Sequence, residues 1–149
     1  MIIDDKLMKY VIFKKRTEKE VRQKCEKFDY TSEYIDEIIE YLAQNEYIND
    51  KKYVEKYIQN VMRLKNASIF EMKMDLLRRG VLEEYIDEYI NNNSDELEEF
   101  EKQSAIKLMN KKINGTEIEK VKRYLISKGY SYVNVSNAID NLKELHDNN

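Results

Sequence analysis

Cys25 and His146 are the sole thiol and the sole imidazole of this chain, and they bound the catalysis it could perform. A nucleophilic cysteine needs a base beside it and an environment that favours the thiolate. Cys25 instead follows Val21 by four residues and precedes Phe28 by three, on one face of a helix, and its counterparts 51 and 100 residues on (25 to 76, 25 to 125) are Leu76 and Leu125. A core thiol is the expectation. His146 stands near the C-terminal end, so a histidine acid/base pair or a His-rich zinc site has no material. Gly80, Gly115 and Gly129 are too dispersed for a phosphate-cradling loop or a dinucleotide fingerprint, and Asp95-Glu96-Leu97-Glu98-Glu99 lacks the spacing of a calcium loop. Most carboxylates fall on one-sided helices and read as solvated surface. The residues therefore predict no enzyme, no metal and no cofactor.

The cations form a clearer pattern. Lys14, Lys15 and Arg16 close one helical stretch, Arg63 and Lys65 a second, and Lys111 and Lys112 a third, at equivalent places in a repeat. Stacked repeats would bring these clusters into a row, with Arg78, Arg79, Lys122, Arg123 and Lys128 as a second row. Such rows can track a phosphate backbone, each contact adding to a salt-dependent affinity. Compensation of helix C-terminal dipoles explains the same positions without a ligand, and the two roles can coexist. Charge also alternates in blocks: residues 51–79 carry eight basic and three acidic side chains, 83–101 nine acidic and none basic, and 102–130 eight basic and two acidic. The acidic block would repel DNA but could face basic loops of a protein partner. Most of the twelve tyrosines lie beside apolar stripes, where packing is favoured over base stacking.

The elements that must position these side chains follow from an internal repeat. Glu-Tyr-Ile-Asp-Glu occurs at 33–37 and again at 84–88, and a weaker third copy places Val135 and Ile139 under Ile86 and Ile90. Thr17-Glu18-Lys19-Glu20, Ser68-Ile69-Phe70-Glu71 and Thr116-Glu117-Ile118-Glu119 each spell a capping box. Gly80 and Gly129, each after a basic residue, are placed as left-handed helix stops. Zero Pro and three Gly leave almost no turn chemistry for hairpins. The prediction is an all-α chain of three tandem three-helix repeats, 1–48, 49–93 and 94–145, forming an elongated, curved array, with a frayed tail at 146–149. Long surfaces of that kind bind macromolecules. No apolar run is long enough to span a bilayer, and the start lacks a signal-peptide layout, so a cytoplasmic monomer without a membrane role is expected.

Lys14-Lys15-Arg16-Thr17-Glu18-Lys19-Glu20-Val21-Arg22 resembles the segment that opens the RecX family. Ile48-Asn49-Asp50-Lys51-Lys52-Tyr53-Val54 resembles its Asp-x-x-[Phe/Tyr]-Ala signature, and Leu76-Leu77-Arg78-Arg79-Gly80-Val81 its Leu-x-x-[Lys/Arg]-Gly-[Ile/Val] ending. The likeness runs from about Leu7 to Ile139. It implies tandem three-helix repeats and a regulator that lies in the groove of the RecA filament on single-stranded DNA, inhibiting strand exchange, ATP hydrolysis and co-protease activity. The candidate partner or DNA contacts are then Lys14, Lys15, Arg16, Arg22, Arg63, Lys65, Arg78, Arg79, Lys111, Lys112, Lys122 and Arg123. The competing expectation is a helical-repeat adaptor or nucleic-acid-binding module unrelated to RecA.

Overall fold

The structure, a computed structural model, describes residues 1–147, and among them it contains nine α-helices, one 3-10 turn and no strand. The helices are α1 (Asp5–Phe13), α2 (Glu18–Cys25), α3 (Ser32–Gln44), α4 (Asp50–Leu64), α5 (Ile69–Arg78), α6 (Glu83–Asn92), α7 (Ser94–Lys112), α8 (Ile118–Ser127) and α9 (Tyr132–Asp147). The all-α expectation holds. Two compact units divide the chain: Met1–Tyr57 with Leu76–Tyr89, and Ile58–Asp75 with the described residues from Ile90 on. These boundaries cut through α4, α5 and α6, whereas the sequence repeat sets its divisions between helices.

In the first unit the 3.6-residue periodicity of three helices builds one core. Leu7 and Val11 of α1, Val21 and Cys25 of α2, and Ile35, Ile38, Ile39 and Leu42 of α3 are buried together with Ile3 and Ile48. Phe13 is 81% exposed, so Val11 supplies the inner side of α1. Each such aliphatic burial contributes roughly 1.5–3 kcal/mol. Phe28, Tyr30 and Tyr34 close the edge of this core, the first two stacked at 5.4 Å and the last two edge-to-face at 4.8 Å. In the second unit Ala105 and Met109 of α7, Val121 and Leu125 of α8, and Val135, Ala138 and Leu142 of α9 surround Tyr130. The polar lead-in to the third repeat is helical from Ser94, because Asp95 and Glu96 suit the positive end of α7 and Leu97 and Glu101 turn inward.

One joint occurs once in each unit. Thr17 caps α2: its Oγ1 accepts from the Glu20 amide at 3.2 Å, Glu20 Oε1 accepts from the Thr17 amide at 3.0 Å, and Oγ1 donates to the Arg79 carbonyl at the end of α5 at 2.7 Å. Ser68, 51 residues later (17 to 68), repeats each contact. Its Oγ accepts from the Glu71 amide at 3.0 Å and donates to the Lys128 carbonyl at the end of α8 at 2.6 Å. A carboxylate completes each joint, Asp50 Oδ1 accepting from the Glu18 amide and Glu101 Oε1 from the Ile69 amide, both at 3.0 Å. Orphan amides at one helix start and an orphan carbonyl at another helix end are thus satisfied together, and opposite ends of two helix dipoles meet.

The joint explains the two glycine stops. Gly80 (φ 91) and Gly129 (φ 90) are left-handed, and a Cβ on them would collide with the side chains of Lys19 and Phe70, which stand two residues after the capping hydroxyls. At the end of α2 the corresponding residue is Asp29, also left-handed (φ 56) but exposed, a conformation Asp tolerates better than most residues. The third capping box does not form. The N-cap of α8 is Glu117 without a side-chain cap, because Thr116 belongs to the preceding turn, where its amide donates to the Ile113 carbonyl. At the C-terminus α9 carries His146 and Asp147 in helix; Asn148 and Asn149, the rest of the expected tail, lie outside the described residues.

Removing the Ser68 hydroxyl by Ser68→Ala should cost about 1–3 kcal/mol, since it strips a cap and leaves the Lys128 carbonyl unpaired. Gly129→Ala should cost more, and Thr116→Ala should stay within about 0.5 kcal/mol of wild type. Thermal unfolding followed by circular dichroism measures all three; equal losses at Ser68 and Thr116 would contradict the joint.

Candidate functional site

The expected cations separate by what already engages them. Arg22 is consumed by the fold: its Nη1 lies 2.7 Å from Asp36 Oδ1 and its Nε 3.5 Å from Glu18. The hydrogen bond to Asp36 is the main cause of its raised pKa, and its charge is matched locally. Arg79 donates from Nη1 to the Tyr53 hydroxyl at 2.6 Å and lies 5.1 Å from the Tyr57 ring. Lys112 sits 4.2 Å over the Tyr124 ring, a cation–π contact of the kind worth about 0.5–1 kcal/mol. Arg16 folds back on α1, its Nε donating to the Tyr10 carbonyl at 3.1 Å and its guanidinium 3.8 Å above the Tyr10 ring. Lys14, Lys15, Arg63, Lys65, Arg78, Lys111 and Arg123 are exposed, and Lys122 is half-buried.

Two depressions gather cations, one in each unit. In the first, Lys15 and Arg16 line a pocket of about 140 Å³ with Lys52, Tyr53 and Lys56 of α4 and Tyr47 of the loop before it. In the second, Arg63 and Lys65 line a shallower depression of about 330 Å³ with Phe100, Gln103 and Lys107 of α7. Lys107 stands one turn before Lys111 on that helix, so both extend the same face. Lys52, Lys56 and Lys107 were not among the cations picked out by the repeat. The available signal was the i, i+4 spacing of Lys52 and Lys56 inside the basic block, which puts both on one helix face.

The acidic candidates divide similarly. Glu101 is only 3% exposed, and its Oε2 accepts from Asn134 Nδ2 at 2.6 Å and from the Ser131 amide at 3.3 Å, in addition to the bond of Oε1 to α5. It is a structural carboxylate on the middle of α7 that ties together the starts of α5 and α9. Burial pushes the Asp50 carboxyl up, against the Glu18 amide, which favours its charged form. Glu88 pairs with Lys51 at 3.6 Å on the surface.

The lone thiol is not set up as a nucleophile. Cys25 is fully buried and burial pushes its thiol up, the reverse of an activated thiolate. Burial likewise pushes the Tyr130 hydroxyl up, beside Glu71 and Glu101. Among the described residues no group of three or more His, Cys, Asp or Glu could hold a metal ion, and no helix is long and apolar enough to cross a membrane.

No family model matches the chain. It is similar to the regulatory protein RecX of Clostridium beijerinckii, 37% identical over 125 residues, covering 78% of this chain and 56% of that protein. It is similar also to the regulatory protein RecX of Streptococcus agalactiae, 31% identical over 136 residues and covering 90% and 53%. The crystal structure of RecX from Lactobacillus salivarius superposes with a TM-score of 0.82 at 25% identity, over 93% of each chain. The chain spans about half the length of the curated relatives it matches.

The buried thiol gives a direct check on the core. Cys25 should resist a disulfide reagent such as dithionitrobenzoate in the native protein and react fully in denaturant. Reaction in the native state at the rate of a free thiol would place Cys25 outside the core.

Proposed function

This chain belongs to the RecX family over the segment it shares with these relatives, and from that premise we propose that it regulates the RecA recombinase by binding. In this reading it lies in the groove of the RecA filament on single-stranded DNA and inhibits strand exchange, ATP hydrolysis and co-protease activity. The three helical repeats span successive RecA protomers, so inhibition requires no catalytic step. The chain acts as a monomer in the cytoplasm. The observation that carries the reading is agreement of sequence and fold with RecX proteins over most of the chain. Exposed cations support it: Lys14, Lys15, Arg63, Lys65, Lys111 and Arg123 leave their charge open to an anionic partner. The relatives are named as regulatory proteins, which fits a reading in which the chain acts by binding.

ATP hydrolysis by RecA on single-stranded DNA, measured as the protein is titrated below the RecA concentration, tests the proposal. Suppression at substoichiometric ratios is expected, relieved when Lys14, Arg63 and Lys111 are changed together to Glu. Unchanged hydrolysis, with no binding to preformed filaments, would overturn it.

A further inference from the structure

Lys15, Arg16, Lys52 and Lys56 converge on one pocket, and the structure holds them there by independent means. Arg16 is oriented by Tyr10, whose carbonyl takes Nε while its ring supports the guanidinium, so the remaining Nη fork keeps the geometry that suits a phosphate. Lys52 and Lys56 stand one turn apart on α4 and share a face. Asn49 Oδ1 accepts from the Lys52 amide at 3.1 Å, which places the pocket at the capped, positive end of α4. Four cations thus face one lining carboxylate, Glu46, a net of +3 (four minus one). Lys15, Lys52 and Lys56 make no ion pair among the described residues. Like charges gathered in excess of counter-charge raise the local potential and favour an anion.

Size limits the ligand. About 140 Å³ is well below the roughly 300–1,000 Å³ of pockets that enclose a whole small molecule, so it takes a group the size of a phosphate. The rest of the ligand must continue outside. Tyr47, 39% exposed and also lining the pocket, offers a ring on which an adjoining base can stack, a contact worth about 1–3 kcal/mol per base in single-strand binders.

We propose that the pocket formed by Lys15, Arg16, Lys52 and Lys56 binds a backbone phosphate of a single nucleic-acid strand, with the neighbouring base against Tyr47. The proposal rests on the filament reading above in so far as it supplies the chain's own contact to DNA there. Its test omits RecA, so that either can fail alone.

The experiment is fluorescence anisotropy of a labelled oligothymidylate of about 12 nucleotides, a length within single-strand site sizes, titrated with the full chain at low salt. The strand should bind, and the K52E/K56E double variant should weaken binding by at least about tenfold, with thermal unfolding unchanged. Lys120→Glu, at an exposed position of α8, should alter binding by less than about twofold, as expected where no phosphate is contacted. No binding by the wild type, or equal binding by K52E/K56E, would overturn the proposal. Inorganic pyrophosphate serves as a second probe. Its binding without binding of the strand would likewise overturn the assignment to nucleic acid.

Discussion

A helix start that must satisfy its own amides and another helix's last carbonyl in the same few ångströms constrains this chain more than any other interaction. With no proline and three glycines, it has few turn devices to tie off helix ends, and those ends must serve one another. Thr17 and Ser68 do so through hydroxyls that accept and donate at once, both fully buried. The joint forces Gly at 80 and 129, engages the partly exposed Asp50 and draws Glu101 off the solvated surface. A buried carboxylate is costly unless its oxygens are bonded, and Glu101 meets that condition with three donors.

The first joint also sets the geometry of the first unit's pocket. Thr17, anchored on Arg79, follows directly after Lys15 and Arg16; Asp50, anchored on the Glu18 amide, stands two residues before Lys52. The same pair of contacts therefore holds both cationic walls. Elsewhere the positive charge is divided between structure and surface. Arg22, Arg79 and Lys112 work on carboxylate or tyrosine partners within the fold, whereas Lys14, Lys15, Arg63, Lys65 and Lys111 extend into water. The contacts within the fold and the open charges thus fall largely on different members of the same clusters.

The helices were legible because their cores obey a strict period: Leu7 and Val11, Val21 and Cys25, and Ile35, Ile38, Ile39 and Leu42 are buried where spacing alone puts them. Two capping boxes were legible for the same reason, since Thr17 with Glu20 and Ser68 with Glu71 are local pairs. The failures involve residues whose role depends on something far along the chain. Thr116 and Glu119 spell the same local pattern, yet the turn after α7 takes Thr116 and the cap falls on Glu117. Glu101 reads as the last of a solvated acidic block, and only its contacts with Ile69, Ser131 and Asn134 show it to be core. Lys52 and Lys56 read as ordinary helix surface until the α1–α2 turn is brought against them.

An electron cryo-microscopy map of RecA filaments on single-stranded DNA, saturated with this chain, tests the account most directly. Density for the nine helices within the filament groove, with Lys15, Lys52 and Lys56 within contact of a strand phosphate, is the result it predicts. Filaments left bare at saturating protein, or decorated on their outer surface with these lysines facing solvent, would contradict it.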